Sequence, residues 1–286
     1  MASKSTIVRT IQTLAPMASV LAPPLAGRWL ATLFCTPQKR PIPPRELEWL
    51  EGSTFSLVTY DEKISLPVWS WGTGPTVMLV HGWSGRGAQL AVMAEPLVKA
   101  GFRVVTFDLP AHGQAGGKLA ALPMFARAVR LVSEQTGPVH GVISHSLGTA
   151  GVTMAMFEGL LIERALYLAP PENLPLYLQQ AGAYLGFRPG IATHAQKHLE
   201  KLYGIPFDQM RAPVYGPQMT ANLLVVHDDT DKEVDLSEGH QLVRHWPGSR
   251  LIVTHGHGHH RLVRRPETVE LAVEFMAGAL KKQRAV

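Results

Sequence analysis

Ser146 lies in the run Ser144-His145-Ser146-Leu147-Gly148, directly after the apolar stretch VHGVI and before the helix-like run TAGVTMAMFEG. A serine at such a strand-to-helix turn can act as a nucleophile once a neighbouring base removes its proton. The run is a version of G-x-S-x-G with Ser144 at the first glycine position. Small residues are needed there because the backbone at the turn is sharply bent. If the chemistry is acyl transfer, the negative oxygen that forms needs two backbone N–H donors. Leu147, opening the following helix, offers one, and Trp83 in His81-Gly82-Trp83-Ser84-Gly85 offers the other. Two more turns carry titratable groups, Asp108-Leu109-Pro110-Ala111-His112-Gly113 and Gly256-His257-Gly258-His259.

Each of these turns follows a short apolar run. Thr76–Val80, Arg103–Phe107, Val139–Ile143, Ala165–Leu168, Leu223–Val226 and Leu251–Thr254 suit strands buried on both faces of a parallel sheet. Phe55–Tyr60 and Ile64–Trp71 read as a strand pair joined at Asp61-Glu62. Helical patterns alternate with the strands over Ala88–Ala100, Pro123–Thr136, Leu147–Leu161, Ser237–His245 and Pro266–Lys281. This alternation predicts an α/β fold, a doubly wound and mostly parallel sheet with helices on both faces. The rhythm breaks between Leu168 and Leu223, where Pro170–Met219 reads as a helical cap insertion rich in tyrosine and phenylalanine. The expected organisation is a helical extension and Pro-rich connector over 1–44, a core over 45–169 and 220–286, and the cap over 170–219.

The N-terminal stretch Leu14 to Phe34 is apolar, but Pro16, Pro23, Pro24 and Arg28 interrupt it. A spanning helix needs about 20 apolar residues in a row, so stable membrane insertion is not expected. Gln12, Thr13 and Pro16 also make it a poor signal peptide. Two short helices, broken at Pro23-Pro24 and packed on the domain, are expected, in a cytoplasmic protein. The 286 residues are 46% hydrophobic with a net charge of +5, which excludes disorder over most of the chain. The positive charge is spread out, with only short basic runs at Arg261–Arg265 and Lys281–Arg284, so a nucleic-acid partner is not expected. Cys35 is the only cysteine, which excludes an internal disulfide and a cysteine-based zinc site.

With these motifs the chain resembles the α/β-hydrolase superfamily, in the branch with an H-G-W oxyanion loop, a D-x-P-x-x-G turn and G-x-G-H-x6-P-E near the end. The resemblance runs from Leu66 to Leu280 and leaves the N-terminal helices outside. It departs from the pattern at Ser144 and at Ala115, where a serine is common; neither removes a catalytic group. The resemblance implies Ser146 as nucleophile, His259 as general base, and the backbone N–H groups of Trp83 and Leu147 as oxyanion donors. The acid is expected in the turn holding Asp228, Asp229 and Asp231, and the pattern H-G-x-x-D-x-x-V-P aligns Asp231 with it.

Plainer readings exist for each residue. Ser146 could be an ordinary helix N-cap, and the cluster His255, His257, His259 and His260 could bind a metal. No carboxylate or cysteine is expected to accompany the histidines, and the glycines suit a loop that carries one imidazole to Ser146, so neither metal nor cofactor is expected. His81 and His145 are expected to orient loops. The function expected is a serine hydrolase that cleaves a small-molecule carboxylic ester or thioester through an acyl-enzyme. The insertion and Trp83 are expected to shape an apolar acyl pocket. An acyltransferase on the same residues and a non-catalytic binding protein on a hydrolase scaffold are the alternatives.

Overall fold

The computed structural model describes residues 4–279. Its helices are α1 (Lys4–Leu21), α2 (Pro23–Phe34), α3 (Pro44–Glu48), α4 (Ala94–Lys99), α5 (Leu122–Thr136), α6 (Leu147–Phe157), α7 (Leu174–Tyr184), α8 (Ile191–Tyr203), α9 (Ala212–Tyr215), α10 (Leu236–His245), α11 (Gly258–Arg261) and α12 (Pro266–Met276). Its strands are β1 (Thr54–Thr59), β2 (Ser65–Trp71), β3 (Thr76–Val80), β4 (Arg103–Phe107), β5 (Val139–His145), β6 (Arg164–Leu168), β7 (Asn222–Asp228) and β8 (Arg250–Thr254). No described helix is long and apolar enough to cross a membrane.

The eight strands form one sheet in the order β1-β2-β4-β3-β5-β6-β7-β8. β1, β2 and β4 pair antiparallel, and β4 through β8 run parallel. This is the doubly wound, mostly parallel architecture expected from the alternation. Strand alternation explains why the central strands are apolar throughout. On β3, Met78 and Val80 enter one core with Phe107, Phe125, Tyr167 and Trp246, while Val77 and Leu79 enter the opposite core with Leu166, Leu224 and Phe275. β8, at the sheet edge, is only half-buried along its length.

After β3 the chain crosses to β4 on one side and then to β5 on the other. The crossing direction therefore reverses at β3, and a crevice opens at the carboxyl ends of β3 and β5. The loops His81–Gly85 and Ser144–Gly148 both leave the sheet there.

Ala88–Ala100 is not one helix. It is two 3-10 turns, Gly87–Gln89 and Ala91–Met93, followed by the short α4. The Asp108 carboxylate holds the Gly87 N–H at 2.7 Å and the Thr106 hydroxyl donates to the Gly87 carbonyl at 3.1 Å, so the first turn is fixed by β4 and not by its own helix. α6 ends four residues earlier than expected, where Gly159 takes φ +102°.

The chain divides into two compact units. The sheet unit comprises residues 37–172 and the described residues from Ala212 onward. The other joins the described residues through Thr36 with Asn173–Arg211. The N-terminal extension and the insertion, expected as separate pieces, thus share one unit. The insertion is also narrower than 170–219. The reason lies in the buried face of α2: Ala26, Gly27 and Ala31 are small and buried beside Leu30, and a Cβ on Gly27 would stand 2.4 Å from the His194 Cβ of α8. Only a glycine lets these two helices meet so closely. In the sheet unit the two ends of the insertion are tied together, the Ala212 N–H donating to Glu172 at 2.6 Å.

Leu79 is fully buried on the central strand. Leu79→Ala is expected to cost about 2–5 kcal/mol of stability, read as a lower urea midpoint at unchanged slope.

Candidate active site

Ser146 sits between β5 and α6 with φ 51° and ψ −135°, a conformation that side chains rarely adopt. Its N–H donates to the Leu168 carbonyl at 2.9 Å, which anchors the bend to β6. The neighbours must be small, and the distances say why. A Cβ on Gly148 would stand 2.3 Å from the His81 carbonyl oxygen, and one on Gly82 would stand 2.7 Å from the Ser146 Cβ. Ser144 is accepted in place of glycine because its hydroxyl donates to the Val80 carbonyl at 3.1 Å inside the sheet. Leu147 is the first residue of α6, where backbone N–H groups have no partner within the helix. Trp83 directly follows Gly82. Leu147 is thus part of the Ser146 turn, and Trp83 is one residue from the Gly82 that packs against it.

The structure brings Ser146, His259 and Asp231 into one line. His259 Nε2 lies 2.9 Å from Ser146 Oγ, and His259 Nδ1 lies 2.7 Å from Asp231 Oδ2. Both the imidazole and the carboxylate are buried. The other Asp231 oxygen accepts the Glu233 and Val234 N–H groups at 2.8 and 2.9 Å. Burial opposes its charge, but the bond to His259 and these two amides hold the carboxyl below its usual range. With Asp231 ionised, the proton of His259 belongs on Nδ1 and Nε2 is left to accept from the serine hydroxyl. Asp229 stands apart, paired at 2.6 Å with the exposed His255.

Asp228, the third aspartate of the turn, has a role not visible in the sequence pattern. It is fully buried at the end of β7. Its Oδ1 accepts from the Thr230 N–H (3.0 Å), the Thr230 hydroxyl (2.5 Å) and the Gly258 N–H (2.8 Å). Its Oδ2 accepts from the Thr254 hydroxyl (2.8 Å) and the His257 N–H (3.0 Å). One carboxylate thus ties the loop that carries Asp231 to the loop that carries His259. Burial raises its pKa, but the hydrogen bonds outweigh burial and hold it far below the usual carboxylate range. The sequence signal was the Asp-x-Thr at a strand end, which closes an Asx turn.

The remaining motif histidines serve the scaffold. His81 Nε2 accepts the Leu109 N–H at 3.0 Å, so its Nδ1–H donates to the Gly82 carbonyl at 2.8 Å. Burial keeps this ring neutral, pushing its pKa well down. His145 donates from Nε2 to the His259 carbonyl at 3.0 Å, and burial together with nearby His259 pushes its pKa down to about 3. His112, buried beside Trp83 with ring centroids 5.2 Å apart, is pushed down to about 4 by burial. Asp108 anchors the D-x-P-x-x-G turn by accepting the Gly87 and Gln114 N–H groups, both at 2.7 Å.

The rings of His145, His259 and His260 come close enough to share an ion. Four of their six nitrogens have partners: both of His259 in the line above, Nε2 of His145 on a carbonyl, and Nε2 of His260 on Glu233 at 2.8 Å. Glu233, given no role in the sequence reading, and His260, placed there only in a possible metal cluster, stand beside this line, with Glu233 Oε2 4.0 Å from His259 Nε2.

Residues 75–156 match the family model for the alpha/beta hydrolase fold. No curated protein matches the sequence. Among solved structures, a membrane phospholipase A described as a bacterial virulence factor superposes with TM-score 0.63 at 18% identity, covering 96% of this chain and 99% of that one. Rv0554 from Mycobacterium tuberculosis gives 0.62 at 19% identity, with 80% and 100% covered. A serine hydrolase from the hydrocarbon-degrading bacterium Cycloclasticus zankles gives 0.60 at 14%, with 79% and 99% covered. The chain thus has the α/β-hydrolase fold.

Because Asp228 has a lowered pKa in the folded state, its contribution to stability is present above the unfolded value of about 3.9 and is lost as pH falls toward the folded value. Asp228→Asn is expected to lower Tm clearly at pH 7, with the gap to wild type closing as pH falls below about 4. Thermal melts across that range check this.

Proposed function

We propose that the protein is a serine hydrolase that cleaves carboxylic esters or thioesters through an acyl-enzyme on Ser146. The observation that carries this reading is the continuous line from Ser146 Oγ through both His259 nitrogens to Asp231, at 2.9 and 2.7 Å. In the first half-reaction Oγ attacks the acyl carbon while Nε2 takes its proton. The Trp83 and Leu147 amides receive the oxyanion, and the imidazolium returns its proton to the leaving alcohol or thiol. Water, deprotonated by the same nitrogen, then attacks the acyl-enzyme and frees Ser146. Asp231 stays ionised throughout and stabilises the imidazolium. The step needs no metal or cofactor, because base, donors and nucleophile are all supplied by the chain. A phospholipase and a serine hydrolase among the structural neighbours support a hydrolase reading.

A fluorophosphonate probe is expected to add one adduct mass to wild type and none to Ser146→Ala. A native protein that stays unlabelled would leave the binding-protein alternative in its place. On p-nitrophenyl esters, Asp231→Asn is expected to lower kcat on the order of 10⁴-fold. Asp229→Asn, which touches only exposed His255, is expected to stay within a few-fold of wild type. Turnover should also persist in EDTA; loss restored by zinc would return the His145, His259 and His260 group to the chemistry.

A further inference from the structure

α1 has one face turned inward and one that nothing in its own unit covers. Ala15 and Ser19 are buried and Val8 and Ile11 half-buried, at spacings of three and four residues that mark a single helical stripe. On the other side Ile7, Leu14, Met17, Val20 and Leu21 are 53%, 45%, 57%, 53% and 75% exposed. Leu25 at the start of α2 adds a further 62%. Single exposed aliphatic side chains are ordinary, but a contiguous run of this size marks an interaction surface.

The polar residues on that face do not interrupt it. Thr10 and Thr13 turn their hydroxyls onto the helix's own Thr6 and Arg9 carbonyls at 3.0 and 2.9 Å. Their methyl groups are then the outward chemistry, and no side-chain donor on these two residues requires water. On the opposite side of α1, Gln12 donates to the Tyr184 carbonyl at 2.8 Å and ties the end of α7 to this helix.

Charge selects the partner. Up to Thr36, where this stretch of the unit ends, the sequence has Lys4, Arg9 and Arg28 and no Asp or Glu, and Arg9 and Arg28 are exposed on α1 and α2. The spacing 7-10-14-17-21 would also suit a helix from a second copy. Two copies would bring cations against cations with no acid at the seam. An anionic surface would be attracted instead.

We propose that the outward face of α1 and the start of α2 form an interfacial docking surface for membranes rich in anionic phospholipid. The helix lies in the headgroup region with Ile7, Leu14, Met17, Leu21 and Leu25 entering the acyl boundary, while Arg9 and Arg28 meet lipid phosphates. No spanning segment is involved. This inference stands apart from the chemistry at Ser146 and is read without any activity measurement.

The full chain is incubated with sedimentable vesicles of phosphatidylcholine alone or mixed with phosphatidylglycerol. The bound fraction is measured by co-sedimentation, and the oligomeric state of the free protein by light scattering. Wild type is expected to bind the mixed vesicles, bind neutral ones weakly, and be released in part when salt is raised to about 0.5 M. Leu14→Gln/Leu21→Gln is expected to weaken binding by about tenfold or more. Arg9→Gln/Arg28→Gln is expected to remove most of the preference for anionic vesicles. All four positions are exposed, and circular dichroism checks that each variant keeps its helices. Vesicle binding that is absent, or unchanged in the leucine variant, overturns the proposal. A dimer dissociated by the leucine variant, with no vesicle binding, assigns the face to a second copy instead.

Discussion

Everything at the candidate site depends on how closely two turns approach at the carboxyl ends of β3 and β5. The Ser146 backbone is held at φ 51°, and this strained bend survives only because the surroundings leave it no alternative. Gly148 meets the His81 carbonyl on one side and Gly82 meets the Ser146 Cβ on the other, at distances where any side chain would collide. The Ser146 N–H is fastened to β6 and the Ser144 hydroxyl to β3. The sheet order makes this approach possible, since the reversal at β3 sends neighbouring connections apart and leaves space above the strand ends.

Around that bend, burial assigns charge. His81 and His145 lie where an imidazolium would be poorly solvated, so burial keeps them neutral and each donates one N–H to a specific backbone carbonyl. Asp228 is buried as deeply but is held ionised, because five donors converge on it. The difference is one of hydrogen bonding and not of depth. Of three aspartates within four residues, one links loops, one pairs with a surface histidine and one reaches His259 Nδ1.

The parallel strands were legible because a strand buried on both faces must be apolar at nearly every position, and all six expected runs fall within a strand of the same extent or slightly longer. The edge strand β8 was legible too, although only half-buried. Ala88–Ala100 was misread as one helix because periodicity cannot register that Asp108 and Thr106, on a different element, take the Gly87 backbone groups. The joint unit of the N-terminal helices and the insertion was equally out of reach. Its cause is the fit of Gly27 against His194, a contact between residues far apart in the chain.

The residue types and their order already determined an α/β sheet with a serine at a strand-to-helix turn, a histidine in a glycine-rich loop and a cluster of aspartates after the penultimate strand. These are local properties, set by which side chains tolerate a buried strand or a bent backbone. Only the tertiary structure decided that Asp231 meets His259 while Asp228 joins the two loops, and that Glu233 and His260 stand beside them. Which carboxylate reaches an imidazole 28 residues away depends on the direction of two loops leaving neighbouring strands, and that direction is set by sheet register and packing, not by sequence spacing.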